Sequence, residues 1–177
     1  MSDNIVLEVL QKFIHENVAS QSKLQKPTDK DMTKYELVNP SVHIGWVPPK
    51  LSENMSPDTQ VPDYPCIIIG VDEGDDDGQD AGVNIRMSFA LYNLGLYGED
   101  GKITPDYKGY KDLLNLKDAT KRELARAAVI GGVTTIQGPF KWGMYQDQPY
   151  PYWFGWLSFR ALCSSDSFVP DIEEQYK

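Results

Sequence analysis

One stretch of the chain, residues 65–94, constrains the fold more than any other. It begins with an apolar run rich in β-branched residues, Cys66-Ile67-Ile68-Ile69-Gly70-Val71, which favours a strand. In residues 82–92, apolar and polar side chains alternate with the period of two that is typical of a strand with one buried face. The acidic run between them, residues 72–80, carries too many like charges to be buried. We therefore predict a long β-hairpin whose acidic turn projects into solvent.

Two further segments show apolar residues at three- and four-residue spacing, which predicts two helices. The first helix covers residues 4–19. The second runs from about residue 109 to residue 130 and stops at Gly131-Gly132, because glycine readily takes the positive φ that ends a helix. Its basic residues concentrate in the C-terminal half, where the helix dipole favours them.

The segment between the first helix and the hairpin, residues 20–64, contains six prolines. Proline fixes φ and removes a backbone donor, so long helices and central strands are not expected here. Short extended pieces are expected at 35–38 and 42–47. Residues 51–60 are expected to be mobile or bound to a partner, as long irregular loops often are.

Two closing strands follow the second helix. The first is predicted at 133–137 and is expected to end at Gly138-Pro139. The second, at 153–163, carries large apolar side chains on both faces, so it is expected to be central in the sheet or covered by a second subunit.

These elements predict one α+β domain with a mixed, mostly antiparallel β-sheet and a long hairpin, packed by an N-terminal helix and a second central helix. Its parts are the N-terminal helix (1–19), the irregular proline-rich segment with short strands (20–64), the hairpin–helix–strand core (65–163) and a polar C-terminal tail (164–177).

Composition narrows the function classes. The net charge of −9 and the pI near 4.6 disfavour sequence-specific nucleic-acid binding through a broad basic face. No apolar run approaches the ~20 residues needed to span a bilayer, and the start of the chain does not resemble a signal peptide, so we expect a soluble protein made in the cytoplasm. The two cysteines, Cys66 and Cys163, lie far apart in predicted strands and are expected to be buried apolar residues.

The chain lacks the motifs of common enzymes and metal sites. Its two histidines, His15 and His43, have no metal-ligand spacing, and no P-loop or Gly-x-Ser-x-Gly occurs. When Gly78 is aligned with the invariant glycine of an EF-hand loop, Asn84 takes the place of the bidentate glutamate. We therefore expect no catalysis, no cofactor and no EF-hand, and leave open a looser cation site in the 72–80 turn.

Aromatic residues cluster between Phe140 and Trp156, where three tryptophans and three tyrosines occur within seventeen residues. Three interpretations stand: a subunit interface, a core hairpin with an aromatic loop, and a surface that binds sugar or peptide.

The order of elements resembles that of tail-terminator (tail-completion) proteins of long-tailed phages and phage-tail-like bacteriocins, found in prophage clusters of Gram-positive bacteria. The stretches that carry the resemblance, besides the N-terminal helix, are Tyr35-Glu36-Leu37-Val38-Asn39-Pro40, Val42-His43-Ile44-Gly45-Trp46-Val47-Pro48-Pro49, Pro65-Cys66-Ile67-Ile68-Ile69 with its acidic turn, and Pro151-Tyr152-Trp153-Phe154-Gly155-Trp156.

The resemblance implies a virion structural protein that forms a hexameric ring, caps the tail tube and the sheath, and ends polymerisation. Its partners would be further copies of itself, the tube and sheath proteins, and a neck or head-completion protein. It would lie in the host bacterial cytoplasm during assembly and then in the virion or tail-like particle. A neck, collar or baseplate role remains open, as does a different class of function, a monomeric β-rich module that binds carbohydrate or peptide.

Residues expected to contact a neighbouring subunit or partner combine the acidic turn, the basic helix and the aromatic cluster. They are Asp75, Asp76, Asp77, Lys117, Lys121, Arg122, Arg126, Trp142, Tyr145 and Tyr152.

Overall fold

A computed structural model describes residues 3–28, 31–46, 63–77, 81–98, 100 and 102–163. Two helices and a mostly antiparallel sheet confirm the predicted α+β class. The helices are α1 (Asp3–Asn17) and α2 (Lys108–Ala127), with a single 3₁₀ turn at Ala19–Gln21. The strands are β1 (Leu24–Thr28), β2 (Asp31–Val38), β3 (Ser41–Ile44), β4 (Cys66–Asp76), β5 (Ala81–Tyr92), β6 (Leu96–Tyr97), β7 (Ile103–Thr104), β8 (Val129–Ile130), β9 (Thr134–Met144) and β10 (Tyr152–Cys163).

A six-stranded sheet with the order β3-β4-β5-β10-β9-β8 forms the centre of the molecule. The β3–β4 pair is parallel and the other pairs are antiparallel, so the sheet is mixed as predicted. β5 and β10 pair over their whole length, from Tyr92 opposite Tyr152 to Ala81 opposite Cys163. β10 therefore lies in the middle of the sheet.

The core lies between the two helices and one face of this sheet. Each helix contributes a stripe of leucine, isoleucine or valine, because apolar residues three and four apart share one side of a helix. The sheet contributes the alternate residues of β4, β5 and β10. The fully buried members are Val6, Leu10, Ile14, Ile67, Ile69, Ile85, Met87, Leu113, Leu124, Leu157 and Ala161. Neither described helix has the length and apolarity needed to cross a bilayer.

β4 and β5 form the predicted long hairpin, but residues 72–76 belong to β4 and not to its turn. β4 continues through Asp76, with a register shift between Val71 and Glu73 and with Asp76 opposite Ala81 on β5. Extended backbone is tolerated because these side chains alternate and stay exposed. Residues 78–80 lie outside the described part of the chain.

The first half of the segment 20–64 contains more strand than predicted: β2 includes the expected piece 35–38 and β3 overlaps the expected piece 42–47. β1 and β2 form an antiparallel hairpin in which Pro27 lies opposite Tyr35. Proline fits here because β1 has one hydrogen-bonded neighbour, so a missing N–H on its other side breaks no ladder. Residues 51–60 and 164–177 lie outside the described ranges.

Two element ends also differ from prediction. α2 ends at Ala127, three residues before the expected position, because Ala128 has a φ of 55° and Ile130 belongs to β8. β9 continues through Gly138 and Pro139 to Met144. The ladder between β10 and β9 shifts register between Ser158 and Arg160, opposite this dipeptide, so proline's missing donor is accommodated by the irregularity.

Candidate functional surface

The sheet has one face that points away from α1 and α2, called the open face below. Phe89 of β5 and Leu157 of β10 point toward the helices and are buried. Because side chains alternate along a strand, Arg86, Trp156 and Arg160 point the other way. None of the described helices covers these three side chains, so they are available to a binding partner.

Two arginines on the open face bind the acidic end of β4. Arg86 donates to Asp72 Oδ2 from Nη2 at 2.7 Å and from Nε at 2.8 Å. Arg160 donates to Asp75 Oδ2 from Nη1 at 3.1 Å and to Asp75 Oδ1 from Nη2. The hydrogen bond from Arg160, helped by its charge, lowers the pKa of Asp75 below its usual value. Exposed ion pairs contribute little to the free energy of unfolding. The main effect of these two pairs is to hold the acidic end of β4 against the sheet.

A groove of about 350 Å³ lies beside these pairs on the open face. Trp156 forms part of its wall: its indole contacts the Arg86 guanidinium at 5.3 Å from the ring centroid and lies close above Gly143. Charged and polar groups form most of the remaining wall, together with Gly138, Pro139 and Phe159. The principal charged and polar residues are Asp72, Glu73, Asn84, Lys141, Ser158 and Arg160. Such a groove can stack a planar group and bind it with hydrogen bonds, which is the chemistry of a side chain from another protein or of a sugar.

An aromatic cluster occupies the other end of the open face. Tyr152 lies 5.4 Å from Tyr64 and 5.6 Å from Tyr92 between ring centroids, and it stacks on Phe154 at 6.4 Å. Tyr92 is almost fully buried, so this end of the face is packed rather than open. Burial raises the pKa of Tyr64, and the nearby Cys66 and Tyr152 raise it further.

The connection between β9 and β10 is fixed by one amide side chain. Gln148 Nε2 donates to the carbonyls of Tyr145 and Phe154, both at 2.7 Å, and its Oε1 accepts from Phe154 N at 2.7 Å. Tyr145 then extends across the open face, where its hydroxyl lies 3.0 Å from Ser88 Oγ on β5. Gln148, which was not among the predicted site residues, therefore fixes the backbone of Tyr145 and Phe154.

The basic half of α2 lies on the opposite side of the sheet from the open face. Lys117, predicted to contact a neighbouring subunit or partner, is 5% exposed, with its Nζ 4.0 Å from the ring centroid of Trp142 and 2.5 Å from Asp118 Oδ1. Its aliphatic stem covers apolar surface, which is how a lysine is buried without loss of charge. Arg122 and Arg126 are exposed and share one carboxylate, Glu123, at 3.6 and 3.5 Å.

The predicted contact residues therefore fall into three groups rather than one. Asp75, Asp76 and Asp77 lie at the exposed end of β4, and Tyr145 and Tyr152 lie on the open face. The third group consists of Lys117, Lys121, Arg122, Arg126 and Trp142, on the helix side.

Strand alternation also divides the aromatic residues between Phe140 and Trp156. Tyr152, Phe154 and Trp156 belong to the open face, whereas Trp153 points to the helices and contacts Tyr110 at 6.2 Å between ring centroids. The segment therefore contributes Trp153 to the helix side and Tyr152, Phe154 and Trp156 to the open face.

A second group of titratable side chains lies near β3. His43 Nε2 lies 3.3 Å from Asp63 Oδ2, and Lys26 Nζ lies 3.7 Å from Asp63 Oδ1. Burial, and then the Asp63 charge, raise the pKa of the Cys66 thiol to about 12, which makes it a poor nucleophile. Across the described ranges, no three His, Cys, Asp or Glu side chains are grouped closely enough to hold a metal ion.

Arg86 and Arg160 belong to the candidate site but were not among the residues predicted from the sequence. A usable signal existed, since each stands at a polar position of an alternating strand, where an outward-facing arginine meets the next strand. The sequence does not reveal the strand pairing that brings Arg86 within hydrogen-bond distance of Asp72 and Arg160 within hydrogen-bond distance of Asp75.

No protein-family model matches this chain, and no curated protein is significantly similar to it in sequence.

Proposed function

We propose that this chain is a structural protein of a phage tail or contractile tail-like particle, where it forms a ring that caps the tail tube and sheath and ends polymerisation. It would act in the host bacterial cytoplasm during assembly and then remain in the particle. Its partners would be further copies of itself, the tube and sheath proteins and, in a full phage, a neck or head-completion protein.

The open face is the observation that carries an assembly role. It bears Arg86, Trp156 and Tyr145, the residue types that are enriched where proteins bind one another. These side chains are held by internal contacts, so they are ordered before any partner arrives, which lowers the entropy cost of binding. The tail role itself is supported by the resemblance in element order described above.

Electron microscopy of particles assembled without this protein tests the proposal. A missing terminator should give tails of irregular, extended length, because nothing stops tube polymerisation, and complementation with the gene should restore a single length. Tails of normal, fixed length in its absence would sink the proposal.

A second candidate is a monomeric module that binds carbohydrate or peptide, and the groove beside Trp156 favours it. A ligand that binds only the folded protein raises its melting temperature by mass action. Melting should therefore be followed with panels of oligosaccharides and peptides, using Trp156→Ala as the binding-defective variant. A hit that this variant abolishes would support the module over the ring.

A further inference from the structure

The groove beside Trp156 contains one cation that has no partner. Lys141 of β9 lies opposite Ser158 of β10, so both side chains point to the open face, and both line the groove. The Lys141 ammonium makes no ion pair or hydrogen bond with any residue that the structure describes. Within the same ranges, the Ser158 hydroxyl has no hydrogen-bond partner either. A cation and a hydroxyl donor therefore lie side by side, which is an arrangement that binds an anionic oxygen.

The Trp156 indole borders this pair. It lies over Gly143, where a Cβ atom would be only 3.0 Å from Trp156 Cζ2. Gly143 and Lys141 are two residues apart on β9 and so belong to the same face of the strand. The groove thus combines an apolar ring with a neighbouring positive charge, and it fits a ligand that has an apolar face and an anionic group.

The acids Asp72 and Glu73 of the groove are engaged by other side chains. Arg86 donates to Asp72 at 2.7 and 2.8 Å, and Asn84 Nδ2 donates to Glu73 Oε1 at 2.8 Å. These partners reduce the repulsion that the two acids exert on an anion at Lys141. Each carboxylate still has lone pairs that accept hydrogen bonds, so hydroxyl groups of the same ligand can bind there.

The floor of the groove favours a saccharide over a peptide. It consists of β5 and β10, and each of these strands pairs with a neighbouring strand on both sides. Because their backbone groups are occupied, a peptide laid on this floor would bury its own amides without hydrogen-bond partners, which is costly. Sugar hydroxyls bind to side chains instead, and the groove offers these. Its volume of about 350 Å³ is near the lower end of the range for small-molecule sites, which matches a short saccharide.

We propose that the groove binds a saccharide that carries carboxylate groups. One sugar ring contacts Trp156, and a carboxylate accepts hydrogen bonds from the Lys141 ammonium and the Ser158 hydroxyl. This inference rests on the second candidate function, the carbohydrate-binding module, and names the ligand class of its groove. It does not use the tail role.

Isothermal titration calorimetry with a matched pair of ligands tests the proposal. Tetragalacturonate is anionic, and its full methyl ester is the same saccharide without charge. The wild type should bind tetragalacturonate at least about tenfold more tightly than the ester, because only the acid attracts the Lys141 ammonium. Lys141→Gln should lower the affinity for the acid to that for the ester and leave the affinity for the ester unchanged. Trp156→Phe should weaken the binding of both ligands by a similar factor.

Controls separate this contact from net charge, from unfolding and from peptide binding. Lys111→Gln removes one positive charge from an exposed position of α2 and should bind both ligands like the wild type. Lys141→Gln and Lys111→Gln should keep the melting temperature of the wild type, so a loss of affinity reports on the groove. Tetraglutamate, an anionic peptide, should bind at least about tenfold more weakly than tetragalacturonate.

The charged contact is overturned if tetragalacturonate does not bind, or if Lys141→Gln keeps the preference for the acid. Equal binding of acid and ester would also remove this contact, but it would leave the carbohydrate-binding module standing. Tetraglutamate that binds as tightly as the saccharide would assign the groove to an acidic peptide instead. The tail role is tested separately, since tail length in the protein's absence does not depend on any of these affinities.

Discussion

At the scale of single residues, the tightest packing lies where α2 crosses β10. A Cβ atom on Gly109 would lie 2.1 Å from Trp153 Nε1, so glycine is required there by the indole rather than by backbone conformation. That nitrogen is buried and has no hydrogen-bond partner among the described residues. The sequence showed Gly109 as a helix start and Trp153 as a strand residue, but nothing in it indicated that they touch.

Gly109→Ala is expected to destabilise the fold by about 1–3 kcal/mol, the usual cost of overpacking, despite alanine's higher helix propensity. Chemical denaturation would measure the change in the free energy of unfolding. Asn115→Ala, at an exposed position of α2, is the control and should cost nothing. Adding Trp153→Phe to Gly109→Ala should recover part of the loss, and an absence of recovery would contradict the proposed clash.

Asp75→Asn should lower the melting temperature slightly at pH 7. The folded pKa of Asp75 is lowered by Arg160, so its contribution is present above the unfolded carboxyl pKa of about 3.9 and is lost as pH falls through the folded pKa. The difference between variant and wild type should therefore shrink toward zero as the pH approaches 2. Asp147→Asn, an exposed acid, is the control and should show no such pH dependence. Replacing Asp75, Asp76 and Asp77 together by Asn should leave the monomer folded.

At the scale of elements, period-two alternation predicted the two faces of β5 and β10, and three- and four-residue spacing predicted both helices. These signals are reliable because burial of one face dictates them directly. Strand ends were less predictable. The acidic end of β4 and the Gly138–Pro139 step of β9 are both extended because of the strands beside them, and their own composition suggested a turn.

Leu124→Ala should cost about 2–5 kcal/mol, since Leu124 is fully buried where α2 meets the sheet and truncation leaves a cavity. Leu96→Ala removes the same atoms at a position that is 61% exposed and should cost far less. Urea unfolding of both variants provides the comparison. Equal losses would show that α2 does not dock as described.

At the scale of the whole molecule, the mixed sheet and its packing by two helices could be predicted from the sequence. The positions of the candidate contact residues relative to one another could not. Asp75, Tyr152 and Lys117 were grouped by composition, yet they occupy a strand end, the open face and the helix side. Their separation depends on long-range register, which local patterns do not encode.

Association of copies in the proposed ring through predicted contact residues such as Asp76, Arg122 and Arg126 should weaken as salt rises. The screening length falls from about 30 Å at 0.01 M to about 8 Å at 0.15 M ionic strength, so exposed charges attract over shorter distances. Sedimentation of the wild type from 10 mM to 500 mM NaCl should show a steady loss of oligomers. An assembly that is indifferent to salt would indicate apolar contact instead, with the aromatic residues of the open face as the first place to look.

The pairing of β5 with β10 has a consequence for synthesis. β10 begins sixty residues after β5 ends, so at about 5–20 residues per second the hairpin waits some 3–12 s for its central neighbour. During that interval β5 presents an unpaired edge and an uncovered row of apolar side chains, to which another nascent chain can attach. The rate at which a ribosome translates the codons for residues 93–151 therefore influences how much of the protein reaches the native state.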